Sequence, residues 1–319
     1  MKNVLKITAV ICVLLALMCN SALAAFTDMP EGEAGAVIER AVANGLLTGF
    51  EDSTFRPNDP ITRAQIATII SRVFNPKYTA DISSYTDVAP TDWHYDAMSR
   101  GVAMGAFQGS YNLLNPNQNI TRQEAVIVLA RIFDLPEASL SALASLTDST
   151  TIATWAKLDV ARVVAGGYIE TTGRFRPTEP MTRLEFATVM DKLVTTYITV
   201  DGEYNAANFP KGNVLIKANN VSLSGITSDD VVFVADGVQG KVTFTDCNLE
   251  RVIVRGGESY VNSGSYGQFR VIGYNAKAYL HKMPQELIKK YPDGSTGLFY
   301  GKPGYGNIEI MPFYDVEIE

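Results

Sequence analysis

The chain is poor in the side chains that carry most protein chemistry. Of 319 residues, three are cysteine and two are histidine. Cys12 and Cys19 fall in an N-terminal stretch read below as a leader. Cys247 is then left alone, and an intramolecular disulfide is excluded. His94 and His281 stand in no metal-ligand spacing, and there is no G-x-S-x-G turn and no phosphate-binding loop. No metal or cofactor is therefore expected. Beyond the leader, no stretch approaches about 18 apolar residues, so none reads as a transmembrane helix. Positive charge is also short: 27 Lys and Arg stand against 34 Asp and Glu. That balance argues against a nucleic-acid partner, which needs a basic footprint.

What is present begins with residues 1–24, which read as a signal peptide. Lys2 and Lys6 form its basic start, Ile7 to Met18 its apolar run, and Ala22-Leu23-Ala24 its small-x-small cleavage signal. An exported chain without disulfides depends on its cores and its repeats, and the remaining length suffices for two domains.

One pattern recurs three times. ITRAQIATIISRVF starts at Ile61, ITRQEAVIVLARIF at Ile120 and MTRLEFATVMDKL at Met181, with steps of 59 and 61 residues. An upstream marker keeps the same steps: FTD at Phe26, YTD at Tyr85 and LTD at Leu146. Two anchors holding one period mark a repeated structural unit. Each unit predicts two short helices. The second opens on a capping box, Thr62-x-x-Gln65, Thr121-x-x-Glu124 or Thr182-x-x-Glu185, with a hydrophobic residue ahead of it. The first helix is predicted over 34–43 and stops at Gly45 in the first unit, and it follows Trp93 and Trp155 in the other two. Helix pairs this short bury little by themselves. Three packed about one axis bury a core, so residues 26–75, 85–134 and 146–197 are expected to form one all-α, pseudo-threefold domain.

Arg63, Arg122 and Arg183 each take the first position of a predicted helix. A cation is unfavourable beside the positive end of the helix dipole, by about 0.3–1 kcal/mol. The placement makes sense if an anion arrives at the exposed helix amides and the arginine fork together. Internal ion pairs with Asp28, Asp87 or Asp148 are the alternative.

The leading F/Y/L-T-D, Trp93, Trp155, the GFEDSTFRP string at Gly49–Pro57 and the threefold TR helix starts resemble the S-layer homology (SLH) repeats. The resemblance covers about residues 26–195. It implies a spindle in which the repeats share a central three-helix bundle with projecting arms. It also implies binding of a cell-wall polysaccharide, often bearing pyruvate ketals on an amino sugar, and a cell-surface location. By the same resemblance Arg63, Arg122 and Arg183 would contact carboxylate. Asp28, Asp87, Asp148, Trp93 and Trp155, with Gly49 and Gly109, would line grooves between repeats. The tryptophans have a core role as their alternative. Repeat one lacks the tryptophan and carries Gln65 in place of glutamate, so the grooves are not expected to be equivalent.

From residue 211 the pattern changes to short β runs. VLIK at Val214, VVFV at Val231, VIVR at Val252 and RVIG at Arg270 alternate with VSL, VTF and YVN. Two interleaved series at one period predict a short parallel β-helix or solenoid over 211–319, joined by a linker at 198–210 and ending in a C-terminal cap. A two-sheet sandwich is the rival. Pro284–Lys290 reads as a short helix. Asp229, Asp230, Asp236 and Asp246 are the carboxylates that could meet across coils for glycan cleavage. The chain is thus read as an α + β multidomain, non-catalytic surface protein whose β domain is a spacer, array or adhesive module. A wall-tethered polysaccharide-acting enzyme is the alternative.

Overall fold

The computed structural model describes residues 26–171, 173–273 and 276–280, with the backbone of three further strands up to residue 317. The leader lies outside the described residues.

Among the described residues, six α-helices build the first half. They are α1 (Glu33–Ala43), α2 (Arg63–Phe74), α3 (Tyr95–Ala103), α4 (Arg122–Ile132), α5 (Lys157–Ala165) and α6 (Arg183–Leu193). The even-numbered helices start at the predicted capping boxes. Thr62, Thr121 and Thr182 each accept the backbone N–H three residues on, and Gln65, Glu124 and Glu185 return the contact. The odd-numbered helices end as Gly45, Gly105 and Gly167 take positive φ, which reverses the chain at little steric cost.

No repeat completes its own core. The second helix of each packs on the first helix of the next: α2 on α3, α4 on α5, and α6 back on α1. The same rotation appears in the backbone. Ile120 N–H donates to Ile61 O (3.0 Å), Met181 N–H to Ile120 O (2.9 Å), and Ile61 N–H to Met181 O (2.9 Å). These residues precede the three caps and are wholly buried, so the predicted pseudo-threefold axis is closed by three hydrogen bonds between repeats.

The second half is a parallel β-solenoid in which strands one to eleven alternate between two sheets. The first sheet has the order β1 (Thr196–Ile198), β3 (Val214–Ile216), β5 (Thr227–Val234), β7 (Cys247–Val254), β9 (Gly264–Val271), β11 (Glu286–Lys290), β12 (Thr296–Tyr300). The second has the order β13 (Val316–Glu317), β10 (Lys277–Leu280), β8 (Glu258–Val261), β6 (Lys241–Thr245), β4 (Val221–Ser224), β2 (Gly202–Asn205). Val214 pairs with Val232, Val232 with Val252, and Val252 with Phe269, all in parallel. This register confirms the interleaved series and excludes an antiparallel sandwich for these strands. Two expectations are corrected. Residues 198–210 are no linker, because β1 (Thr196–Ile198) and β2 (Gly202–Asn205) already pair with β3 (Val214–Ile216) and β4 (Val221–Ser224). Residues 286–290 are strand β11 rather than helix, parallel to β9 (Gly264–Val271) and antiparallel to β12 (Thr296–Tyr300). An edge with open ladder groups outweighs the weak local helix signal there.

The two halves share a core. Leu215, Phe233 and Ile253 occupy one register row of the first sheet and are buried. Phe233 meets Phe133 edge-on at 5.4 Å, and Phe133 meets Phe74 at 5.2 Å. The sheet therefore sits against the C-terminal ends of α2 and α4.

Candidate functional site

The three TR arginines and the three leading aspartates are joined through single peptide units. Asp28 accepts the N–H groups of Phe55 and Arg56, each at 2.7 Å. Asp87 does the same for Leu114 and Asn115 (2.9 and 2.6 Å), and Asp148 for Phe175 and Arg176 (both 2.8 Å). The carbonyls of those same loop residues take the arginine of the preceding repeat. Arg63 Nε donates to Leu114 O (2.8 Å), Arg122 Nε to Phe175 O (2.7 Å) and Arg183 Nε to Phe55 O (3.0 Å). Each aspartate fixes its own repeat's loop, and each arginine fastens that loop to its neighbour.

This corrects one part of the anion argument. The first two helix amides are not exposed, since Arg63 and Ala64 N–H donate to Gln118 O and Pro116 O. Their counterparts at Arg122, Gln123, Arg183 and Leu184 donate to the equivalent carbonyls. The neighbouring loop takes the place that a free anion would need.

The guanidinium groups are not equivalent. Arg122 is buried and pairs with Glu185 of the third repeat at 2.7 Å. Arg63 and Arg183 have carbonyl partners, and among the described residues neither is within ion-pair distance of a carboxylate. The first-repeat residue equivalent to Glu185 is Gln65, an uncharged amide. Burial lowers the pKa of all three arginines, though arginine stays charged near neutrality. Asp28 is held below the usual carboxylate range, chiefly by the Phe55 N–H. At Asp148 burial pushes upward, but the Phe175 and Arg176 N–H groups outweigh it and the net shift is downward.

Gly49 and Gly109 let the leading aromatics of repeats one and two lie on the backbone. An added Cβ would come within 2.0 Å of the Phe26 ring or 2.1 Å of the Tyr85 ring.

Trp93 and Trp155 are not core residues: they are 67% and 63% exposed. Trp93 borders a groove of about 460 Å³ between α2 and α3, lined also by Arg72, Asn75, Lys77, Asp96 and Arg100. Neither Arg63 nor Asp87 lines it, so the structure does not gather the expected site residues in one place. It supplies three other cations instead. Arg100 pairs with Asp96 at 2.6 Å, which leaves the groove positive on balance. Their signal in the sequence is faint. Arg100 and Arg162 each follow a tryptophan by seven residues, a spacing that means little until the helix pairing is known.

The contact between α6 and α1 is different. Repeat one has no tryptophan, and Arg40 of α1 grips Asp191 of α6 with Nε and one Nη, both at 2.8 Å. Ser71 and Ala130 hold the position of Asp191 in the other two repeats, so this bidentate clamp belongs to one helix pair alone.

In the solenoid, Asp236 is bound to Arg255 at 2.7 Å. Asp230 accepts Gly212 N–H at 3.0 Å, and Asp246 accepts the Ser263 hydroxyl at 2.7 Å. Cys247 is buried. Tyr266 is buried as well, whereas Tyr279 stacks on Tyr260 at 4.5 Å.

Comparison with known proteins gives the context. The chain is 33% identical over 170 residues to the Surface-layer 125 kDa protein of Lysinibacillus sphaericus, covering 51% of this chain and 14% of that one. It is 29% identical over 171 residues to Exoglucanase XynX of Acetivibrio thermocellus, covering 52% of this chain and 16% of the relative. It is 28% identical over 171 residues to Amylopullulanase of Thermoanaerobacterium thermosulfurigenes, covering 52% and 9%. The chain thus spans a small part of each relative. Residues 25–67, 84–126 and 145–187 each match the S-layer homology domain. The chain thus carries three S-layer homology domains, arranged about one axis, with a β-solenoid behind them.

Proposed function

We propose that this is a non-catalytic cell-surface protein, held on an anionic cell-wall polysaccharide by its SLH repeats. The supporting observation is the groove between α2 and α3, where an exposed tryptophan stands beside Arg72, Lys77 and Arg100. A sugar ring can lie on the indole face while a carboxylate meets the cations. A pyruvate ketal on an amino sugar would supply that carboxylate. Arg63 and Arg183, desolvated and without an acidic partner among the described residues, add positive charge that an anion would relieve. Trp155, also exposed, stands at the equivalent place in repeat three, whereas repeat one has no tryptophan and carries the Arg40–Asp191 clamp instead. The regions 26–75, 85–134 and 146–197 act as one anchoring unit, with the solenoid as a spacer, array or adhesive module.

The test is sedimentation with purified walls, before and after chemical removal of the attached polysaccharide. Retention that depends on the polysaccharide, and weakens in Trp93→Ala and Arg100→Ala, is the expected result. Equal retention on stripped walls would sink the reading.

A second reading is favoured by the two relatives named as glycan-acting enzymes, whose similarity lies in the repeat region. The solenoid would then be a tethered enzyme. Turnover of wall and plant polysaccharides by the whole chain, abolished by Asp229→Asn or Asp230→Asn, would establish it.

A further inference from the structure

The groove beside Trp93 is bounded on one side by the short connection between repeats one and two, and that connection is held from the solenoid. Asn75 ends α2 in the left-handed conformation (φ 48°), and Asn75 and Lys77 both line the groove. Behind them, Gly237 N–H donates to Phe74 O at 2.8 Å. Tyr78 OH donates to Asp236 Oδ1 at 2.6 Å. Asp236 is gripped through Oδ2 by Arg255 Nε at 2.7 Å, and Arg255 also donates to Ile132 O at 3.1 Å. Lys217 Nζ donates to Arg72 O at 3.1 Å, so the last turn of α2 is fastened as well. Three cationic or amide donors of the solenoid, Gly237 N–H, Arg255 and Lys217, thus meet the carbonyl ends of two SLH helices, where the helix dipole favours positive charge.

The fit at this point is close. A Cβ on Gly237 would fall 2.5 Å from Asn75 O and 2.7 Å from Asn75 Cβ. Asp236 and Arg255 are almost wholly buried. A buried charge pair tolerates little displacement, because moving one partner leaves the other uncompensated. From the groove side, Arg100 donates to Pro76 O. The segment Asn75–Tyr78 is therefore fastened on both faces, by the solenoid and by a groove cation.

We infer that the solenoid is a working part of the glycan groove: Gly237, Asp236 and Arg255 are positioning residues that set Asn75 and Lys77, so glycan occupancy and solenoid docking stabilise each other. The inference rests on the groove assignment proposed above. Coupling of this kind is reciprocal, since whatever tightens one site through a shared segment must be tightened by it in return.

The experiment uses the whole chain and soluble polysaccharide released from purified walls. In a Trp155→Phe background Trp93 is the sole tryptophan, and its fluorescence reports the groove. Gly237→Ala and Tyr78→Phe lie behind the groove and do not line it. Each is expected to weaken binding, Gly237→Ala by about fivefold or more. Because an altered loop could also disturb folding, the reverse effect is measured on the unmodified chain. Polysaccharide should slow amide hydrogen exchange across residues 235–238. If Trp93 fluorescence responds to polysaccharide while exchange at 235–238 and both variants' affinities are unchanged, the coupling is overturned and the groove stands. If Trp93 does not respond at all, the groove assignment fails and the coupling falls with it.

Discussion

Arg40 of the first repeat and Asp191 of the third form a two-pronged ion pair between α1 and α6, with both contacts at 2.8 Å. Arg40 is 41% exposed, so solvent screening limits the pair to about 1 kcal/mol or less. Asp191→Ser, which installs the residue found at the equivalent place in repeat one, should cost no more than that in urea denaturation. A double-mutant cycle with Arg40→Ala should return the coupling. Wall retention should not fall, because this pair lies where no tryptophan is present.

Trp93 and Trp155 allow site and core to be separated. Both are mostly exposed, and exposed positions away from special features change stability by about 0.5 kcal/mol or less. Trp93→Ala and Trp155→Ala should leave the thermal midpoint nearly unchanged while reducing retention on walls. A large drop in midpoint would return these residues to a structural role.

The TR arginines should differ in their effect on folding. Arg122 is buried with Glu185, and removing one partner of a buried pair strands the other. Glu185 keeps Arg176 as a second partner. Arg122→Ala is therefore expected to cost about 3 kcal/mol, at the low end for such a loss. Arg63 gives up hydrogen bonds to carbonyls without stranding a charge, so Arg63→Ala should cost about 1–2 kcal/mol. Denaturant midpoints of the two variants test this order.

Acid should loosen the loops. Asp28 and Asp148 have folded pKa values below the ordinary one, so each contributes stability that is complete above about pH 4. That contribution is lost as pH falls through the folded values. Asp28→Asn or Asp148→Asn should lower stability at neutral pH and flatten its acid dependence below about pH 4, read by denaturation at several pH values.

The helix starts were plain in the sequence because a capping box is local: Thr62, Gln65 and the residues around them suffice to define it. The solenoid period was legible for a similar reason, since stacked coils repeat side chains at one interval. Strand β11 was misread as a helix, because a five-residue stretch adopts whatever pairing an open sheet edge offers. The reading of the arginines as anion contacts missed that the next repeat's loop already occupies the helix amides. Nothing within Arg63 and its neighbours reveals that Gln118 O and Pro116 O will be there.

By itself the sequence determined the three repeats, the caps at Thr62, Thr121 and Thr182, and the parallel coils, all written in contacts only a few residues apart or in one fixed period. The tertiary structure alone decided which helices pair across repeats, and hence that Arg72, Lys77 and Arg100 meet beside Trp93. It also decided that Arg40 clamps Asp191 and that Arg255 joins the solenoid to the SLH helices. The contacts of Arg255 with Ile132 and of Arg40 with Asp191 span 123 and 151 residues of chain, and their energies depend on burial and on helix-end polarity, which exist only once the chain has folded.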